Sequence, residues 1–257
     1  MKIVKVLYFL FLVGCSEQGE HPTLVKVDKS EVSERNKISE WKWTGVINNK
    51  IPVFLHYSLH DQLLVGQLTY LNTKDRKPIN VIGTIEDDKS HRLLEFEKDG
   101  NITGIITGNP EGEQFIGSWF SPKTRVKYSL SLSKKDTTVN APDLAVNAND
   151  MYGSYYYQYS KDGQQGGLEF SKVSGHKAAF EIFSVTDAPG RNIAEIPLDT
   201  ISINGNSFIY ELPGAEPCAF RVTFYKGFAT VAYTKGFCEG FFGWNATVDG
   251  IYLKVKR

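Results

Sequence analysis

From Trp41 to Ser133 the chain alternates apolar and polar residues with a period of two, broken only by short turn sequences. Ile51, Val53, Leu55, Tyr57 and Leu59 share one face of a run. Val126, Tyr128, Leu130 and Leu132 alternate with Lys127, Ser129 and Ser131. This is the period of a strand that buries one face. Asn48-Asn49, Asp99-Gly100-Asn101 and Asn109-Pro110-Glu111-Gly112 separate such runs, and these residue types tolerate positive φ or start turns. About eight strands follow one another, and none is separated by the room a parallel crossover needs. The chain must therefore run as an antiparallel meander. Eight strands in a meander form either an open twisted sheet or a barrel, and closure removes the exposed edges, so a barrel is expected.

A second series starts at Met151. Tyr155, Tyr157 and Tyr159 share a face; Phe180 and Ile182 follow, then Phe208, Tyr210 and Leu212 after an Asn204-Gly205 turn. Phe220, Val222 and Phe224 alternate with Arg221 and Thr223; Ala229, Val231 and Tyr233 come next, and Ile251, Leu253 and Val255 close the chain. No helix interrupts these runs. An aromatic content of 13% and 23 glycines suit sheet. Between the two series, residues 134–149 (KKDTTVNAPDLAVNAN) are polar, hold a proline and lack alternation, as a linker would. The expected fold class is all-β, with two tandem antiparallel meander or barrel-like (lipocalin-like) domains at 41–133 and 150–257.

The first fifteen residues, MKIVKVLYFLFLVGC, carry Lys2 and Lys5, a short apolar run and small residues before Cys15. The run is shorter than the roughly 20 residues a membrane-spanning helix needs. The stretch resembles a bacterial lipoprotein signal peptide with its lipobox. The resemblance implies a signal peptide over 1–14 and a mature chain beginning at Cys15, whose thiol carries lipid, with palmitate among the acyl chains added. Two or three chains, at roughly 0.8 kcal/mol per buried methylene, would anchor the protein. Ser16 rather than aspartate after the cysteine implies the outer membrane. Residues 15–40 are polar and charged, and read as a lipidated flexible tether.

Lipidation also accounts for an odd number of cysteines. With Cys15 used by lipid, Cys218 and Cys238 remain, and an oxidising envelope favours a disulfide between them. A metal site would want further thiol or imidazole ligands near these two, and a thiol nucleophile would want a histidine closer than His176.

The chain has 29 basic and 29 acidic residues, and loss of Lys2 and Lys5 with the leader gives the mature chain an acidic excess of two charges. No basic field for nucleic acid is present. His56 and His60 are four apart, but in a strand followed by a turn they do not converge on a metal. There is no G-x-S-x-G elbow, and Gly163 to Gly167 reads as a turn rather than a phosphate cradle. Glu95 with Glu97, which share a strand face, and Glu169 with Glu181 are carboxylates that a glycosidase could pair. Solvated strand faces are the simpler account. The pattern therefore designates no catalytic residue, metal or cofactor. Aromatics give the strongest binding signal. Tyr155, Tyr157, Tyr159 and Trp244 are candidate ligand contacts, because Tyr and Trp join a stacking face to a polar handle. Packing inside a small barrel competes with that role, and also accounts for Trp41 and Trp43.

Gly66 with Tyr70, Gly83, Asp99-Gly100-Asn101-Ile102-Thr103-Gly104 and Gly117-Ser118-Trp119-Phe120-Ser121-Pro122 together resemble a β-rich module of bacterial envelope proteins. Cys218, Cys238 and Gly250-Ile251-Tyr252 resemble a second small β domain of such proteins, with one extra residue between the last glycine and tyrosine. Similar domains accompany some lysozyme inhibitors. The resemblance implies a fold and transfers no catalytic residue. The expected function is a lipid-anchored, non-enzymatic envelope protein that binds a protein partner, a glycan or a small ligand. The alternatives are an inhibitor of a lysozyme-like hydrolase and an enzyme acting on polysaccharide.

Overall fold

The computed structural model describes residues 39–214, 218–236, 238 and 240–256. The leader, Cys15 and nearly all of the tether lie outside the described residues.

Eight strands form the first sheet: β1 (Glu40–Ile47), β2 (Ile51–His60), β3 (Leu63–Tyr70), β4 (Ile79–Ile85), β5 (His91–Phe96), β6 (Ile102–Glu111), β7 (Gln114–Ser121) and β8 (Val126–Lys134). Each pairs antiparallel with the next, and β1 pairs with β8 from Trp43↔Lys134 to Ile47↔Leu130, closing a barrel. The alternation read from the sequence selects its lining. Trp43, Val53, Leu55, Tyr57, Leu64, Leu93, Phe115 and Leu132 point inward and are buried. Asn48 and Asn49 turn β1 into β2 with φ of +52° and +53°, the left-handed region that asparagine tolerates. Gly66 and Gly83 permit the tight curl. A Cβ on Gly66 would sit 1.9 Å from the His56 carbonyl, and one on Gly83 would sit 1.8 Å from that of Arg92. Glycine inside a strand lets neighbouring backbones approach this closely.

The second sheet contains β9 (Gly153–Gln158), β10 (Gln165–Ser174), β11 (Lys177–Val185), β12 (Ile193–Ser202), β13 (Ser207–Glu211), β14 (Ala219–Tyr225), β15 (Phe228–Lys235) and β16 (Gly250–Val255). Its order is β12-β11-β10-β9-β16-β15-β14-β13, antiparallel throughout. The sheet curls around Tyr155, Phe170, Phe180, Phe208, Phe220, Phe224 and Tyr252, all buried. Its edge strands approach each other where Tyr210 Oη donates to Asp199 Oδ2 at 2.9 Å. Among the described residues no ladder joins them, so the second unit is barrel-like with a seam.

The described chain is one compact unit, because the outer faces of the two sheets pack together. Leu63, Val65, Ile82, Leu94, Phe96 and Ile102, on the outside of the barrel, belong to the same buried cluster as the second sheet. Phe228, Leu253 and Tyr156 are directly opposed in register on the outer face of that sheet. At one end Gln158 N donates to the Gly100 carbonyl at 3.1 Å, and Asn101 bridges Gln158. The segment after β8 is also held. Lys226 N donates to Leu144 O at 3.1 Å, the Lys226 ammonium meets Asp143 at 2.7 Å, and Leu144 and Val146 pack on the cluster.

One strand differs from the sequence pattern. Alternation assigns Ile251, Leu253 and Val255 to the buried face of the last strand. Instead Tyr252 fills the interior, while Leu253 is buried on the outer face. A strand covered on both sides carries apolar residues on both sides, and alternation then no longer marks the inside.

Candidate functional site

Disulfide-bonded Cys218 and Cys238 have Cα atoms 4.9 Å apart. The bond pins the start of the long connection between β15 and β16. Beyond it, Phe241 N donates to Cys238 O (3.1 Å), Gly243 N to Ile193 O (2.9 Å) and Ala246 N to Gly243 O (2.9 Å). Gly243 lies against β12; a Cβ there would meet Asn192 Cβ at 2.9 Å and Ile193 N at 3.0 Å. The far end is anchored by buried Val248 and by Tyr233 Oη, 2.9 Å from Thr247 Oγ1. Ser184 Oγ, itself buried, donates to the Thr247 carbonyl, and Thr247 Oγ1 donates to Asp249.

This connection projects aromatic surface. Trp244 is 80% exposed and Phe241 47% exposed. Beside them is a cavity of about 730 Å³, lined by Tyr233, Phe242, Trp244, Asn245, Thr247 and Asp249 among others. An indole face next to carboxylate, amide and hydroxyl groups suits an amphipathic ligand such as a sugar ring.

The tyrosine candidates from the sequence divide between the core and a cleft. Tyr155 is wholly buried against Phe224, and its hydroxyl donates to Met151 O at 2.5 Å. Tyr157 stacks edge-on against Tyr252 in the same core, and only its hydroxyl reaches outward, 3.4 Å from Gln164 Nε2. Tyr159 is half-buried in the cleft between the two sheets, where Arg92 Nη2 donates to its hydroxyl at 3.4 Å. Tyr155 therefore belongs to the core, Tyr157 and Tyr159 meet edge-on with ring centroids 6.0 Å apart, and Trp244 lines an adjoining cavity.

Glu95 does not pair with Glu97. A bulge between β5 and β6 shifts the register at Glu95/Phe96. Glu95 points into the barrel and Glu97 is exposed. Glu95 accepts from Thr103 Oγ1 (3.0 Å), Tyr70 Oη (3.0 Å) and Trp119 Nε1 (3.1 Å). Burial raises its carboxyl above the ordinary value, against the pull of these donors. Elsewhere in the barrel interior Trp43 Nε1 donates to Tyr57 Oη (3.4 Å), which lies 2.9 Å from His91 Nδ1. Burial lowers the His91 imidazole. Glu169 and Glu181 are opposed in register on the outer face of the second sheet, where Ser154 Oγ donates to Glu169 at 2.5 Å. Their outward-facing position is a strand surface rather than a catalytic cleft. Among the described residues no group of three or more His, Cys, Asp or Glu side chains could hold a metal ion.

The sequence matches no protein-family model and no curated protein. Sequence reasoning missed Arg92, Lys123 and Arg125, which line the cleft beside Tyr159. Arg92 on β5 is far in sequence from Lys123 and Arg125 in the β7–β8 turn, so no local run of charge joins the three.

Proposed function

We propose that this protein is a lipid-anchored, non-enzymatic binding protein of the bacterial envelope, and that the β15–β16 connection is its glycan-binding element. The observation that carries the reading is Trp244, which stays 80% exposed on a segment pinned by a disulfide and several backbone hydrogen bonds. A pinned segment that leaves a tryptophan in water forgoes the burial energy of its largest side chain, and a ligand that stacks on the indole recovers it. Asn245 and Asp249 in the adjoining cavity supply hydrogen-bond partners for sugar hydroxyls. The buried carboxylate Glu95 has both oxygens engaged by Thr103, Tyr70 and Trp119, which favours binding over acid–base turnover. Lipidation of Cys15 would place this surface at the membrane.

The test is binding of the soluble chain from Ser16 to immobilised envelope polysaccharide. Trp244→Ala should reduce retention at least tenfold while changing stability by less than about 0.5 kcal/mol, as for other exposed substitutions. Unchanged retention would remove the site. For the anchor, Cys15→Ala should abolish palmitate labelling and membrane partitioning; a variant that still partitions would contradict lipidation.

A second reading is a protein partner, including a lysozyme-like hydrolase. Ile193, 54% exposed, lies next to Gly243, and with Phe241 and Trp244 it extends the apolar surface beyond the cavity. Stoichiometric inhibition of a lysozyme by the soluble chain, lost in Trp244→Ala, would favour this reading.

A further inference from the structure

Arg92 projects from the outer face of β5, and Lys123 and Arg125 come from the β7–β8 turn. The three line a cavity of about 470 Å³ where the two sheets meet, opposite Tyr159 and Gln164. Arg92 is half-buried, and its partner there is the neutral Tyr159 hydroxyl. Among the described residues no ion pair joins any of these three cations to a carboxylate. Asp162 and Asp187 border the same cavity. Neither of these carboxylates, nor Glu86 in the neighbouring cavity, forms an ion pair with Arg92, and a half-buried guanidinium without an ion-pair partner favours an incoming anion that its planar fork matches, a carboxylate or phosphate.

The cavity does not end there. A neighbouring one of about 400 Å³ shares Arg92, Tyr159 and Gln164 with it, and shares Thr247 and Asp249 with the aromatic pocket. The three cavities thus adjoin through shared wall residues from Arg125 to Trp244.

We propose that these adjoining cavities form one groove that binds an acidic glycan. Its carboxylate or phosphate lies between Arg92, Lys123 and Arg125, and a sugar ring further along stacks on Trp244. Asp162 and Asp187 beside the cations, and Glu86 and Asp249 further along, accept hydroxyls. The proposal rests on the glycan reading above and adds to it the charge and the minimum length of the ligand.

The test is a nuclear magnetic resonance titration of the ¹⁵N-labelled soluble chain from Ser16 with three probes: inorganic phosphate, tetragalacturonate and neutral chitotetraose. Tetragalacturonate should shift the amides of Arg92, Arg125 and Tyr159 together with the Trp244 indole. Arg92→Gln or Arg125→Gln should weaken it about tenfold and flatten its salt dependence. Tetragalacturonate that moves Trp244 but leaves the cleft amides silent overturns the groove and leaves the glycan reading intact. Phosphate that moves the cleft amides, with neither oligosaccharide reaching Trp244, supports the anion site and overturns the glycan reading. Silence of Arg92 and Arg125 toward both phosphate and tetragalacturonate overturns the proposal outright.

Discussion

Glu95 shows how one side chain can depend on the backbone opposite it. Its carboxylate and the Trp119 indole meet only because residue 104 is glycine; a Cβ there would fall 2.4 Å from both Glu95 Oε2 and Trp119 Nε1. Gly104→Ala should therefore break the three-donor arrangement and destabilise the barrel by about 2–3 kcal/mol, read from urea denaturation. The pH dependence tests the same group. A raised carboxyl is protonated in the fold before it is in the unfolded chain, so acidification toward 4.5 stabilises through Glu95. His91 has the opposite sign. Its lowered imidazole resists protonation in the fold while the unfolded chain takes up a proton below 6.5, so the same acidification destabilises. Glu95→Gln removes only the first effect, and its urea midpoint should fall further between pH 7 and pH 5 than that of the unaltered protein. Equal falls would show that the three donors hold the carboxyl at its ordinary value.

Among the connections, the one between β15 and β16 depends most on a covalent bond. Replacing both Cys218 and Cys238 by serine should cost about 3 kcal/mol, the chain-entropy value for a loop of this length. It should also speed amide exchange at Gly243 and Ala246 while leaving β9 and β10 protected. Uniform loosening would mean that the bond holds the whole sheet rather than the aromatic segment. The pairing of these cysteines followed from compartment and count, and the structure contains it. The bulge at β5–β6 was not readable in the same way. The Glu95 to Glu97 spacing matches an ordinary strand, and only the structure shows that β5 ends at Phe96, that Thr103 is an extra residue on β6, and that Glu97 lies beyond the strand.

The two sheets form one body, and Val65 lies in the packed surface between them. Heating should give one calorimetric transition. Val65→Asp, which buries an unpaired charge at that surface, should split it into two. A single undivided transition in the variant would show that each sheet does not persist without the other.

Alternation and turn residues were enough to specify strands, an antiparallel meander and a barrel for the first series, because period and turn chemistry are local properties of the chain. They could not say that the second sheet stops short of a closing ladder, since that depends on how far its edge strands β12 and β13 approach. Nor could they say which face of a strand meets another sheet. Val65 and Leu253 lie on faces that an isolated sheet would expose to water, and each is buried because a second surface covers it. Arg92 shows the reverse case. In the sequence it is an ordinary polar strand residue, and it lines a cleft only when Lys123, Arg125 and Tyr159 converge from separate elements. Short-range patterning sets each strand's conformation, but contact between distant surfaces sets what each strand faces, and the candidate site is made of such contacts.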